Sequence, residues 1–261
     1  MSYKRKRITV KIGSNVLARP DGTLDITRMS ALTDQIAELH KAGVEIIVIS
    51  SGAVASGRSE LKIHRKLDAV SARQLFSAVG QAKLINRYYE LFREHGIPVG
   101  QVLTMKENFA TRRHYLNQKN CMTVMLENGV IPIVNENDTV AIDELELEIG
   151  ENDSLSATVA AAVGADLLII LSDINGLYSA DPRTDANAQV IREVRKIDAR
   201  IEQMAGGAGS ALGSGGMATK INAAKIATEA GVDMVIMNGR DPEQLYALFD
   251  GEPIGTHFLA E

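Results

Sequence analysis

Tryptophan is absent from this 261-residue chain and aromatic residues make up only 4% of it. A ligand held by stacking on rings, as single-stranded nucleic acid is, therefore has little to stack on. A single cysteine, Cys121, excludes an intrachain disulfide and a cysteine-built zinc site. As a small apolar side chain it is expected to be buried. There is no cationic excess either: 28 Lys and Arg against 33 Asp and Glu leave a formal charge of −5. That balance excludes the broad basic field on which nucleic-acid binding relies, so an anionic ligand needs a local cationic pocket. No uncharged apolar run reaches the ~18 residues of a membrane-spanning helix. The basic start MSYKRKRITVKIG is interrupted by Lys11 and Gly13 before a signal-peptide core can form. The expectation is a cytoplasmic protein with neither nucleic acid nor membrane as partner. With no low-complexity linker and no repeat of fixed period, residues 1–261 read as a single domain.

What the chain does contain is an alternation. Short β-branched runs, namely ITVKI, EIIVIS, IPVGQVL, VIPIVN, DLLIIL and VDMVIM, are separated by longer helical patterns over 26–42, 70–95, 113–128, 154–163 and 218–230. Continuous apolar runs belong to strands covered on both faces. The fold class predicted is therefore α/β: a three-layer α/β/α sandwich around a mainly parallel sheet. Two stretches break the rhythm. AIDELELEIG (141–150) alternates apolar and acidic residues like a small exposed hairpin, and AGGAGSALGSGG (205–216) reads as a flexible glycine-rich loop.

Ligands of an open parallel sheet bind beyond the carboxyl ends of its strands, where loops lead into helix N-termini. ITVKI empties into Gly-Ser-Asn, EIIVIS into Ser-Gly-Ala, VIPIVN into Glu-Asn-Asp and DLLIIL into Ser-Asp-Ile-Asn-Gly. Any one of these is an ordinary turn or cap; four at one edge form a candidate site. The segment GSGGMATK (213–220) is not a P-loop, because Thr219 precedes Lys220 rather than following it. It does fit G-x-G-x-x-G/A over Gly213, Gly215 and Ala218. However, no strand precedes it, and the acidic partner Asp233 opens a strand instead of ending one, so the dinucleotide reading is rejected.

The residues that can do chemistry are few. Lys11 sits in the first apolar strand, where a buried ammonium needs an anion. Lys220 lies in the first turn of a helix, against the sense of the macrodipole, and a bound phosphate would resolve that conflict. Glycines 213, 215 and 216 would let backbone N–H groups approach phosphate oxygens. Asn152 and Asp153 stand at a helix start, where capping is the ordinary role; the carboxylate of Asp153 could also hold both ammonium groups in register. Two lysines and one carboxylate suit phosphoryl transfer, which depends on positioning and charge neutralisation. The five histidines show no metal spacing, and Ser51 lacks a nucleophile elbow, so no protein-ligated metal and no covalent serine chemistry are expected.

Taken as a set, VKIGSNVL, SSGAVASGR, IPIVNENDTV, GENDSLSA, LLIILSDINGLYSADPR and GSGGMATK resemble the amino acid kinase family across essentially the whole chain. Within that family, VNEND with GEND resembles the branch that phosphorylates free glutamate. The resemblance implies a sandwich binding ATP and a small carboxylate at the C-terminal edge of its sheet. It implies an acceptor-binding part over roughly 1–165 and a nucleotide-binding part over roughly 166–261; many members add a C-terminal PUA domain, and as a departure from that pattern none is expected here. Lys11, Asp153 and Lys220 are then catalytic. ATP is bound by Lys11, Gly13, Ser172, Asp173, Ser214, Gly215, Gly216, Met217, Ala218, Thr219 and Lys220. Glutamate is bound by Ser51, Gly52, Asn135, Asp138 and Asn152. The reaction implied moves the γ-phosphoryl of ATP, with Mg2+, to the side-chain carboxylate of L-glutamate. A carboxylate is already ionised at neutral pH, so no general base is called for. L-Proline is implied as a feedback inhibitor, and a homo-oligomer, dimer or tetramer, as the assembly. The alternatives are a sister kinase acting on N-acetylglutamate, aspartate, carbamate or UMP, and a catalytically silent nucleotide-binding regulator. Intact Lys11, Asp153 and Lys220 argue against the last.

The acidic run DELELE lies beside the implied glutamate site. Deleting residues 143–148 is expected to change glutamate affinity or proline sensitivity more than the KM for ATP. Steady-state kinetics with each ligand varied in turn checks this, and equal effects on all three would mean general destabilisation.

Overall fold

The computed structural model describes residues 6–63, 65–105, 107–140, 152–206 and 216–260. The expected hairpin at 141–150, and 207–215 of the expected glycine-rich loop, lie outside the described residues. In chain order the elements are β1 (Arg7–Ile12), α1 (Ser14–Leu17), α2 (Ile26–Lys41), β2 (Glu45–Ser50), α3 (Ala53–Glu60), α4 (Ala69–Glu94), β3 (Val99–Thr104), α5 (Glu107–Ala110), α6 (Arg112–Glu127), β4 (Ile131–Glu136), α7 (Asp153–Val163), β5 (Leu167–Ser172), β6 (Glu193–Val194), α8 (Ala199–Gly206), α9 (Met217–Glu229), β7 (Asp233–Asn238), α10 (Glu243–Phe249) and β8 (Thr256–Phe258).

The strands form one eight-stranded sheet in the order β3-β4-β2-β1-β5-β7-β8-β6. Every pairing is parallel except that of β7 with β8. The strands before residue 137 lie on one side of the β1–β5 seam and the later ones on the other. The chain thus reverses its direction of travel across the sheet at β1 and β5, which opens a crevice at their carboxyl ends.

Side-chain alternation divides the core. Ile8, Val10 and Ile12 of β1 join the apolar cluster under α2, α4 and α10. Ile47, Ile49, Leu168, Ile170, Met234 and Ile236 face α6, α7 and α9. Period 2 therefore points Thr9 and Lys11 toward the second layer. The long helices form for legible reasons. α2 is capped by Asp25, whose side chain accepts from Arg28 N, and it buries Met29, Leu32, Thr33, Ile36, Ala37 and Leu39 along one stripe. α4 is capped by Asp68 accepting from Ser71 N, and buries Ser77, Gly80, Gln81, Leu84, Tyr88 and Phe92.

Some expectations fail here. The IPVGQVL run is not covered on both faces: β3 is an edge strand paired only with β4, and Gln101 and Leu103 are exposed. Cys121 is exposed rather than buried, because α6 turns only Met122 and Leu126 fully inward and Cys121 lies about 100° round the helix from Met122. Ala205 and Gly206, expected to open a glycine-rich loop, instead close α8. The Gly-Ser-Asn exit of β1 leads into a short helix, α1, with Gly13 at its capping position. The two-residue β6, three-residue β8 and seven-residue α10 were not anticipated, being too short for periodicity to reveal.

α3 and α4 cross unusually closely. A Cβ added at Gly80 would lie 1.7 Å from the Ala53 carbonyl oxygen, and one at Gly57 would lie 1.8 Å from that of Phe76. Backbone cannot yield as a flexible side chain can. Gly80→Ala is therefore expected to lower stability by about 1–3 kcal/mol or more, as overpacking does, with the loss read from the midpoint of urea unfolding.

Candidate functional site

Lys11 ends the inward-facing set of β1 beneath the N-terminus of α7, and both of its neighbours in the sheet, Ile49 and Ile170, are apolar and buried. Its ammonium, only 1% exposed as a residue, lies 2.6 Å from Asp153 Oδ1. Asp153 is the first residue of α7 and fully buried, where the free N–H groups of the helix favour its charge. Its other oxygen, Oδ2, is 3.2 Å from the ammonium of Lys220 and accepts from Thr219 Oγ1 at 3.0 Å. Lys220, 4% exposed, sits in the first turn of α9 as expected. Asp153, a protein carboxylate, eases the conflict with the macrodipole. The two ammonium groups and the one carboxylate sum to a single positive charge.

Burial alone would raise the Asp153 carboxyl. The adjoining Lys11 and Lys220 charges, with bonds from Lys11 and Thr219, outweigh that and hold it down at about 2. Around this group stand the other expected nucleotide residues. Gly13 follows β1, its N–H donating to Leu171 O of β5 at 3.0 Å, and a Cβ there would come within 3.8 Å of Lys11 Nζ. Ser172, at the end of β5, donates to Asp173 at 3.3 Å. Asp173 also accepts from Asn15 at 3.2 Å, and the Arg240 guanidinium stands 4.0 Å away. Gly216 caps α9, Met217 is half-buried and Ala218 exposed. Ser214 and Gly215 lie outside the described residues.

The expected acceptor residues gather on the other side of the seam. Ser51 N donates to Ile12 O at 3.2 Å, tying the exit of β2 to β1, and Gly52 starts α3 at φ 104°, a conformation open to glycine. Asn152 occupies the capping position of α7 but makes no side-chain cap bond. Its amide instead donates to Asn135 Oδ1 at 2.9 Å and to Ser50 O at 3.3 Å. Asp138 accepts from Arg73 Nε and Nη2 at 3.0 and 2.7 Å, and Arg73 reaches Glu136 at 3.4 Å. Lys11, Gly13, Asp153, Thr219 and Lys220 thus form one cluster. Asn135, Asn152 and the Ser51 turn adjoin it, and Ser172 and Asp173 flank it at the end of β5.

Several residues here escaped the sequence reading. Arg73, Gln81 and Tyr88 all come from α4: Gln81 accepts from Asn135 at 2.7 Å, and Tyr88 shares a 2.8 Å bond with Ser50. The signal available was a glutamine on the apolar stripe of a long helix, between Gly80 and Leu84, where burial demands a partner. Among the described residues, no group of three or more His, Cys, Asp and Glu could hold a metal ion. Asp233, the rejected ribose ligand, accepts from Ala260 N at 2.7 Å.

A sequence profile of the amino acid kinase family matches residues 6–238. A glutamate 5-kinase of Bacteroides thetaiotaomicron is 63% identical over 261 residues, covering 99% of this chain and 71% of that protein. A glutamate 5-kinase of Clostridium perfringens is 43% identical over 98% of this chain and 96% of its own length. Among solved structures, the carbamate kinase of Giardia lamblia bound to AMP-PNP superposes with a TM-score of 0.68 at 14% identity, each chain covered completely. The UMP kinase of Bacillus anthracis gives 0.64 at 15% identity, over 98% of this chain and 97% of that one. At such identities the structures share the fold.

A carboxyl whose folded pKa of about 2 lies below its ordinary 3.8 stabilises the fold above pH ~4 and loses that contribution as pH falls toward 2. Unfolding by urea at pH 5, 4 and 3 should show stability falling in that window. Asp153→Ala is expected to flatten this part of the pH profile and to cost about 3–5 kcal/mol at pH 7, because two buried ammonium groups lose their counter-ion.

Proposed function

Because the chain belongs to the amino acid kinase family, as the match over residues 6–238 shows, we infer that it transfers the γ-phosphoryl group of ATP to the side-chain carboxylate of L-glutamate. The product is L-glutamyl 5-phosphate, and the reaction opens proline biosynthesis. The observation that carries this reading is the pair of buried ammonium groups, Lys11 and Lys220, held on opposite oxygens of Asp153 at the crevice between β1 and β5.

Phosphoryl transfer asks little covalent chemistry of a protein; it asks for alignment and for cations where charge spreads over the equatorial oxygens. Lys11 reaches the crevice from the acceptor half and Lys220 from the nucleotide half, so one phosphoryl group passing between them meets a cation on each side. Asp153 takes no proton in this scheme. It fixes both ammonium groups before substrate arrives, so little reorganisation is needed during transfer. The acceptor carboxylate is ionised at neutral pH and attacks without a base. Ser172, Asp173 and the 214–220 segment are assigned to ATP, and Ser51, Gly52, Asn135, Asp138 and Asn152 to glutamate. An acceptor-binding part over roughly 1–165 and a nucleotide-binding part over roughly 166–261 belong to the same proposal. Mg2+ enters with ATP, carried on its phosphate oxygens, which suits a divalent ion that keeps most of its own water.

L-Proline is proposed as a feedback inhibitor, since it offers the same ammonium and α-carboxylate as glutamate. A homo-oligomeric assembly, dimer or tetramer, and a cytoplasmic location belong to the same proposal. Among the described residues no helix is long and apolar enough to cross a membrane. A silent regulator would have no need of a lysine pair buried at this cost.

Trapping the acyl phosphate with hydroxylamine tests the acceptor. Glutamate should give the hydroxamate in an ATP-dependent manner, well above aspartate or N-acetylglutamate, and ADP release with carbamate or UMP should stay at background. A higher turnover with any of these four would overturn the assignment. Lys220→Ala is expected to fold, since Asp153 keeps Lys11, and to lose about 10³-fold in kcat; near-normal turnover would remove Lys220 from the mechanism.

A further inference from the structure

On the acceptor side, three amides form a chain whose polarity is fixed by groups that cannot be reversed. The Glu136 backbone N–H can only donate, and it does so to Asn135 at 2.9 Å, which identifies that end of the Asn135 amide as its oxygen. The NH2 end of Asn135 therefore faces Gln81, and the atom receiving it at 2.7 Å is Gln81 Oε1. The Asn152 amide meets two acceptors, Asn135 Oδ1 at 2.9 Å and the Ser50 carbonyl at 3.3 Å, so its NH2 end is turned toward them. Its oxygen is the remaining end. An asparagine at this position ordinarily spends that oxygen on a backbone N–H of its own helix, yet here no side-chain cap bond forms.

We propose that Gln81 is a positioning residue of the acceptor site: through Asn135 it locks the Asn152 amide with its carbonyl oxygen presented to the acceptor, and this selects acceptors that carry a protonated α-amino group. An amide oxygen accepts hydrogen bonds from an ammonium, which brings three charged N–H donors; an N-acylated amine brings one neutral N–H, and a carboxylate brings none. Gln81 is suited to the role because it is 9% exposed on the buried stripe of α4, so its amide has little freedom to turn. Among the described residues its nitrogen end has no hydrogen-bond partner, so the oxygen carries the interaction. Without it, the Glu136 N–H still holds the Asn135 oxygen but nothing holds the Asn135 NH2 end, and Asn152 regains the alternative of capping α7.

The proposal rests on glutamate being the acceptor, and calorimetric titration without ATP separates the two readings. Gln81→Met keeps the volume and removes the accepting oxygen; Gln81→Glu keeps an accepting oxygen toward Asn135. Each is titrated with L-glutamate, with glutarate, which lacks the amine, and with ATP. Gln81→Met should weaken glutamate binding on the order of tenfold, the scale of one hydrogen bond to a charged group. It should leave glutarate and ATP within about twofold of the parent, and Gln81→Glu should restore most of the loss. A smaller effect on glutamate, or an equal weakening of glutamate and glutarate, would overturn the relay. A parent protein that binds no glutamate overturns the acceptor reading and the relay with it. Should Gln81→Met fail to fold, Gln81→Ala is read by the same criteria.

Discussion

A single carboxylate shared by two ammonium groups organises this molecule. Lys11 and Lys220 are both nearly inaccessible to water, and a buried ammonium is tolerated only where an anion compensates it. Asp153 does this for both, one oxygen each. The consequence is structural before it is chemical: β1, the start of α7 and the start of α9, three elements far apart in the chain, are held at one point. Asp153 also stands where the N-terminus of α7 favours negative charge, so helix and lysines act in the same direction on its ionisation.

The sheet supplies the place for this point. Chain travel reverses between β1 and β5, the position at which open α/β sheets form their ligand crevice, and the exits of the two strands are tied by Gly13 to Leu171 and Asn15 to Asp173. The polar groups divide around it. Those near β5 and α9 are Ser172, Asp173, Thr219 and Lys220, whereas those near β2 and β4 are the amides of Asn135 and Asn152 and the carboxylates of Glu136 and Asp138.

α4 supports the ends of β2 and β4 from behind. Its buried stripe is apolar at Leu84 and Phe92 but polar at Gln81 and Tyr88, and these reach Asn135 and Ser50, at the ends of β4 and β2. The close crossing of Gly57 and Gly80 seats α3 against α4, and α3 begins at Gly52. The turn after β2 is thereby braced by helix packing on one side and by hydrogen bonds on the other. Arg73 draws Asp138 and Glu136 together, so these acidic groups are oriented by a cation of the protein.

Much of this was legible in the sequence, and the reasons are local. Apolar β-branched runs with polar exits marked six strands and the edge at which a site would form, because strand burial and helix-start chemistry are properties of a few consecutive residues. A lysine inside ITVKI announced a buried charge in want of a partner, and Asp153 was nameable as that partner. The edge position of β3, the exposure of Cys121 and the short β6, β8 and α10 were not legible. Each depends on which neighbour covers a segment, and no window of the sequence contains its neighbour. The same holds for the site: the chain dictated which residues bear charge and where strands end, but only the tertiary structure decided that Gln81 and Arg73 of α4 face Asn135 and Asp138, since hydrogen-bond partners 54 and 65 residues apart are joined by packing alone.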